Sequence, residues 1–148
     1  GPTMMDSYWN MPAQTAEALR GGWLHSGDLA RCDADGYLWI AGRKKDVIIS
    51  GGFNVYAIDL ENVLLQHSAV AEVAVIAAPS REWGETPVAF AVLREDAASE
   101  AVRQWANERL GKTQRIARVI AIDALPRSSI GKVLKRELRE RFKEQASL

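Results

Sequence analysis

Lys132 is the residue of this chain best placed to do chemistry. It ends the run Leu125-Pro126-Arg127-Ser128-Ser129-Ile130-Gly131-Lys132, a polar loop punctuated by proline and glycine. One ammonium group on a long side chain, set at a turn ahead of a basic amphipathic stretch, can be delivered to a developing anion and withdrawn again. Asp28 is a second candidate, a carboxylate straight after the glycine of His25-Ser26-Gly27-Asp28. Other familiar constellations are missing. Two histidines and one cysteine are too few and too scattered for a metal-ligand cluster. His25 and Asp28 are neighbours, yet no Ser-His-Asp arrangement is supported. No glycine-rich loop of P-loop or dinucleotide type is found, so a main phosphate-binding loop would have to lie elsewhere.

Composition narrows the classes. The chain has 148 residues, enough for an ordinary domain with a real core. Lys plus Arg and Asp plus Glu both number 19, so no global field favours nucleic acid or an anionic membrane. No apolar run approaches the roughly 18–20 residues that span a bilayer. Asp6, Asn10 and Gln14 interrupt the start, unlike a secretory leader. The single cysteine, Cys32, cannot form an internal disulfide, which suits a reducing, cytoplasmic compartment. Between Arg127 and Lys143 stand seven basic residues against two acidic ones. A nucleic-acid stripe would use that charge, but Ile130, Leu134, Leu138 and Phe142 form an apolar face that wants a core, and no aromatic is interleaved with the basic face.

The elements that must position these groups follow from pattern. Residues 1–26 read as irregular, with a short helical stretch around Thr15–Leu19. Tyr8, Trp9 and Trp23 there have little regular structure in which to be buried. Asp28 to Ala41 reads as a hairpin turning at Asp33-Ala34-Asp35-Gly36. After the polar knot Gly42–Asp46, Val47-Ile48-Ile49 and Phe53-Asn54-Val55 flank Ser50-Gly51-Gly52 as a second hairpin. A helix through Ile58, Leu60, Val63 and Leu64 comes next, then buried strands at Val70–Ala78 and Pro87–Leu93. Ser99 is expected to cap a helix whose face is Val102, Trp105, Ala106 and Leu110. A short strand at Val119–Ile122 and a final helix from about Gly131 to Lys143 complete the chain. The order β-β-α-β-β-α-β-α from residue 47 predicts an α+β fold, a small mixed sheet packed by helices, with a boundary at Gly42–Asp46.

Five segments now fall in one order: His25–Asp28; Gly42-Arg43-Lys44-Lys45-Asp46; Ser50-Gly51-Gly52-Phe53-Asn54 ahead of Asp59-Leu60-Glu61; Arg81-Glu82-Trp83-Gly84-Glu85; and Pro126–Lys132. In that order and spacing the chain resembles the adenylate-forming acyl-CoA synthetases, relatives of luciferase and of nonribosomal-peptide adenylation domains. The resemblance covers the whole chain. It implies that residues 1–42 are the tail end, with a β-hairpin, of a large N-terminal adenylating domain. Residues 43–46 would be a hinge and residues 47–148 the C-terminal lid domain. The N-terminal domain, with the acyl pocket and most contacts to ATP and Mg2+, would precede Gly1.

The resemblance also implies roles. Asp28 matches the carboxylate that accepts both ribose hydroxyls of ATP, and an ionised carboxylate with two oxygens suits a diol. Arg43 matches an arginine that holds the nucleotide. Lys45 matches the hinge position, where many members have Asp, and about which the lid turns between two half-reactions. Gly51 and Gly52 match the lining of the pantetheine tunnel, where a missing Cβ lets a thin thiol chain run against the backbone. Trp83 matches a position on the coenzyme A face, and Lys132 the catalytic lysine of adenylation. The implied reaction joins a small-molecule carboxylic acid to coenzyme A through an acyl-adenylate, as in fatty acid metabolism. Alternatives are the lid of a carrier-protein adenylation module, and a non-enzymatic binding domain using the basic C-terminal helix.

Three departures stand out. Thr113-Gln114-Arg115-Ile116 replaces the family's Tyr/Phe-Lys-x-Pro turn, leaving Arg115 and Arg118 as candidate contacts to the 3′-phosphate of coenzyme A. Ile49 stands where luciferase-type members carry lysine, and Ser26 replaces a more usual Thr. The isolated chain is expected to be inactive, and its exposed Met4, Met5, Tyr8, Trp9, Trp23 and Trp39 are expected to promote self-association.

Overall fold

The computed structural model describes residues 1–94 and 97–146. Ser147 and Leu148, the end of the expected lid domain, fall outside the described residues. The chain divides into two compact units, Gly1–Lys45 and Asp46–Leu148.

The first unit opens with helix α1, Pro12–Ala18, whose proline stands in the first turn where no amide donor is required. Strands β1, Asp28–Cys32, and β2, Leu38–Arg43, form an antiparallel hairpin. Its turn is built by Asp33, whose carboxylate accepts the amides of Asp35 and Tyr37 and the indole N–H of Trp39. Gly36 supplies the positive φ, at 86°. The tryptophans of this unit stay on the surface: Trp9 is 88% exposed, Trp23 77% and Trp39 62%.

The second unit is a sheet with a core on each face. Strands β3, Val47–Ser50, and β4, Phe53–Tyr56, form a hairpin, followed by helix α2, Ala57–Leu64. Long strands β5, Val70–Ser80, and β6, Gly84–Leu93, pair antiparallel through ten registered positions. Helix α3, Ser99–Asn107, then crosses to β7, Arg118–Ala121, which runs parallel to β6. Helix α4 spans Lys135–Ala146. Strand β6 gives one edge to β5 and shares the other between β3, at Gly84, and β7, at Val88–Ala91. The α+β class and the mixed sheet are as the sequence predicts.

Side-chain alternation explains the near-continuous apolar runs of β5 and β6. Val75, Ala89 and Ala91 point to one core with Leu60 and Leu64 of α2 and Val102 and Ala106 of α3. Ala74, Ile76, Ala78, Val88 and Phe90 point to the other, with Leu125 and Leu138. A strand covered on both faces cannot afford a polar alternation.

Four expectations are corrected. Helix α4 begins at Lys135, not near Gly131, because residues 126–134 spend their backbone groups on a tight hairpin instead. Arg127 and Val133 form an antiparallel bridge, and the Leu134 amide donates to Pro126 O. Ile130 consequently leaves the helix face and is 75% exposed, while Leu138 is wholly buried. Ser99 does not cap α3: the capping position is Ala98, without a side-chain hydrogen bond, and Ser99 is the first helical residue. Leu110 lies beyond the helix end, yet still packs against the first core. Finally, β6 starts three residues before Pro87. Proline is tolerated there because its carbonyl side, which accepts the Ala117 amide, lies past the single β3 pair and just before β7, where no partner strand requires its donor.

Candidate active-site loops

In the first unit the hairpin register brings Asp28 opposite Arg43. The Arg43 Nε donates to Asp28 Oδ1 at 2.7 Å, and the Asp28 amide donates to Ser26 Oγ. Asp28 thus has one oxygen oriented by a cation and the other free of that contact. Asp28 lines a hollow of about 590 Å³ with His25, Ser26, Gly27 and Lys44. The Lys44 amide donates to Gly27 O and ties the polar knot back to the loop before β1. Lys45 is exposed in the single 3-10 turn Lys44–Asp46, at the boundary of the two units.

In the second unit the β3–β4 turn is fastened to the β5–β6 turn by three links. Ser50 pairs with Gly84, the Gly51 amide donates to Trp83 O at 2.9 Å, and the Ile49 amide donates to Glu85 Oε2 at 2.8 Å. The Glu85 carboxylate substitutes for a strand acceptor where β3 and β6 diverge. Gly51 and Gly52 both have positive φ, but their surroundings differ. A Cβ on Gly51 would run into the Trp83 ring, whereas one on Gly52 would meet nothing within 4 Å. Of the two glycines, Gly52 has open space at its Cβ position and Gly51 is covered by the ring.

Trp83 also walls a cleft of about 460 Å³, together with Ser50, Arg103, Lys112, Arg115 and Thr113. Arg103 is held by Glu100 through two hydrogen bonds, which lower the Glu100 carboxyl below its usual range and raise the guanidinium above its own. Asn107 pins Ile116 through both backbone groups and closes one wall. Such a cleft, with three cations against the single carboxylate of Glu82, suits a polyanion beside an aromatic face. Arg115 lines it; Arg118 does not, its guanidinium lying 5.9 Å from the Phe142 ring centroid. Arg103, Asn107 and Lys112 escaped the sequence reading. The i, i+4 spacing of Arg103 and Asn107 on α3 was the signal that could have found the first two.

Lys132 does not line that cleft. It is exposed on the hairpin 127–133, whose shape is fixed by Ser128 N to Lys132 O (2.8 Å), Gly131 N to Ser128 O (2.9 Å) and Lys132 N to Ser128 Oγ (3.2 Å). Gly131 sits at φ 79°, a conformation that favours glycine. Lys135, three residues on, is committed instead: its Nζ donates to Glu61 Oε1 at 2.7 Å, an oxygen that also accepts the Val75 amide. Of these two lysines, Lys132 is the one presented outward. Among the described residues no three His, Cys, Asp or Glu side chains converge as a metal site. Nor is any helix among them long and apolar enough to cross a membrane.

The second unit is a small α+β domain with a sheet packed on both faces that displays a lysine hairpin and a glycine turn, and the first unit carries a hairpin with an Asp–Arg pair. The chain belongs to the family of the AMP-binding enzyme C-terminal domain, which matches residues 59–132, half of its length. It is 41% identical to a medium/long-chain-fatty-acid–CoA ligase of Mycobacterium tuberculosis, over 99% of this chain and 27% of that protein. It is 43% identical to the 2-succinylbenzoate–CoA ligase of Geobacillus kaustophilus, over 94% of this chain and 29% of that one. Among solved structures, ATP-bound MatB from Rhodopseudomonas palustris superposes with a TM-score of 0.89 at 37% identity, covering 97% of this chain and 29% of MatB. The chain therefore spans under a third of the length of these relatives.

Proposed function

We propose that this chain is the C-terminal portion of a cytoplasmic, ATP-dependent acid–CoA ligase. The reaction is a carboxylic acid plus ATP giving acyl-adenylate and pyrophosphate, then displacement of AMP by the coenzyme A thiol. The observation that carries the reading is the outward lysine hairpin, opposed in kind by an open glycine turn on a separate loop. Two half-reactions with different charge demands call for two different loops.

Lys132 meets the first demand. As the acid oxygen bonds to the α-phosphorus and pyrophosphate departs, negative charge spreads over the phosphoryl oxygens, and a positioned ammonium lowers that barrier. Asp28, oriented by Arg43, accepts the ribose hydroxyls and fixes the nucleotide's angle. The turn at Gly52 meets the second demand by leaving room for a narrow pantetheine chain, with Trp83 as a wall and Lys112 and Arg115 facing the coenzyme A phosphates. Lys45 is the hinge that exchanges the two loops.

The relatives named for a fatty acid and for 2-succinylbenzoate match this segment about equally well, which supports selection of the acid by residues outside it. Fatty acids and aryl acids are the substrates to try first. The test uses full-length enzyme. Lys132→Ala should slow acyl-adenylate formation about 100–1000-fold and largely spare thioester formation from supplied acyl-adenylate. Equal loss in both half-reactions would refute the assignment. Thioester formation on a carrier protein and not on free coenzyme A would replace the ligase reading by the carrier-module one.

A further inference from the structure

We propose that Arg127 is a positioning residue for Lys132: its guanidinium bridges the Glu72 carboxylate and the Gly131 carbonyl, and so sets where the Lys132 ammonium stands. The inference rests on the reading of Lys132 as the charge that serves adenylation.

The hydrogen bonds inside the 127–133 hairpin determine its local shape but not its direction. Its base is anchored by the buried Leu125, by Val133, which packs against the second core and bridges Arg127, and by the Leu134 to Pro126 bond. Nothing in those contacts stops the tip from swinging about the base. Arg127 supplies the missing constraint. Nη1 donates to Gly131 O at 2.8 Å, one peptide before Lys132, and Nη2 donates to Glu72 Oε2 at 2.5 Å. Glu72 lies on β5, paired with Val92 of β6 just past a register shift after Val70, so the tip is referenced to the main strand pair and not only to its own base. Residues 72 and 127 are 55 apart in sequence, and no local pattern requires them to meet.

Arginine suits this task and lysine does not. Its planar fork holds two acceptors in a fixed relative direction, whereas an ammonium acts as a point charge. Both side chains are 45% exposed, so the ion pair itself adds little to stability. Its consequence is geometric, and geometry governs the rate of a step that relies on a placed charge.

The test compares half-reactions in the full-length enzyme. Arg127→Ala should lower kcat for acyl-adenylate formation about 10–100-fold, with KM for ATP nearly unchanged and thioester formation from supplied acyl-adenylate intact. Arg127→Lys should restore only part of the loss, and Glu72→Ala should reproduce it. In a Lys132→Ala background, Arg127→Ala should add nothing, since it acts through that lysine. Should Arg127→Ala fail to fold, Glu72→Ala carries the same comparison. Equal slowing of both half-reactions, or a full additional loss on top of Lys132→Ala, would overturn the proposal. Normal adenylation in both Arg127→Ala and Glu72→Ala, beside a crippled Lys132→Ala, would overturn the positioning role alone. An intact Lys132→Ala would overturn the reading of Lys132 and Arg127's role with it.

Discussion

The indole of Trp83 covers Gly51 so closely that a Cβ built on the glycine would stand 2.6 Å from Cε3 and 2.9 Å from Cζ3. The contact accompanies the Gly51 amide bond to Trp83 O, so backbone and ring are fitted to each other at once. Gly51 shapes a wall, and Gly52 beside it faces open space.

That division predicts different costs for two similar substitutions. Gly51→Ala must displace a ring and strain a backbone at φ 57°, for a loss of about 2–4 kcal/mol. Gly52→Ala meets only the backbone strain, about 1–2 kcal/mol. Denaturant midpoints of the two variants check the order. In the full-length enzyme both should slow thioester formation and leave adenylation largely intact. Equal destabilisation would show that the ring yields freely.

Asp33 should act as an acid-sensitive clasp on the first hairpin. The indole N–H of Trp39, then the amides of Tyr37 and Asp35, favour its ionised form and lower its pKa. A lowered folded value means that the contribution is complete above the unfolded pKa and disappears as pH falls through the lower folded one. The Trp39 indole proton resonance should therefore titrate with a midpoint beneath that of an ordinary aspartate. Asp33→Asn should abolish the titration, and a midpoint at or above the ordinary value would contradict the clasp.

Glu61 should matter more to stability than its partner Lys135. Removing the carboxylate in Glu61→Ala leaves the Val75 amide and a partly buried ammonium without their acceptor, at about 1–3 kcal/mol. Lys135→Met keeps the Val75 bond and should cost under about 1 kcal/mol. Urea denaturation of both variants gives the ranking, and the reverse order would mean that charge, not the backbone bond, dominates.

Lys45→Pro should separate the half-reactions in the full-length enzyme. Proline fixes φ near −65°, close to the value of the 3-10 turn around Lys45, and opposes rotation away from it. Adenylation should persist and thioester formation should collapse. An unchanged overall rate of acyl-CoA formation would remove Lys45 from the hinge.

Much of this chain could be read along one dimension. The turn at Asp33–Gly36, the β-branched run Val47–Ile49 with its glycine turn, and the apolar spacing of α2 and α3 depend on residues within a few positions of each other. Short-range sterics and periodicity suffice for them. Lys132 could be singled out on the same basis, because Gly131 and Pro126 mark its loop. Tertiary structure decided the rest, wherever a backbone group or side chain had two competing uses. The spacing of Ile130, Leu134, Leu138 and Phe142 fits a helix, but the 127–133 hairpin claimed the first turn's hydrogen bonds, and α4 starts at Lys135. Gly51 and Gly52 are indistinguishable as letters, and only Trp83, arriving from another hairpin, separates them. The link from Glu72 to Arg127 joins a strand to a loop 55 residues away, and only packing brings the two together.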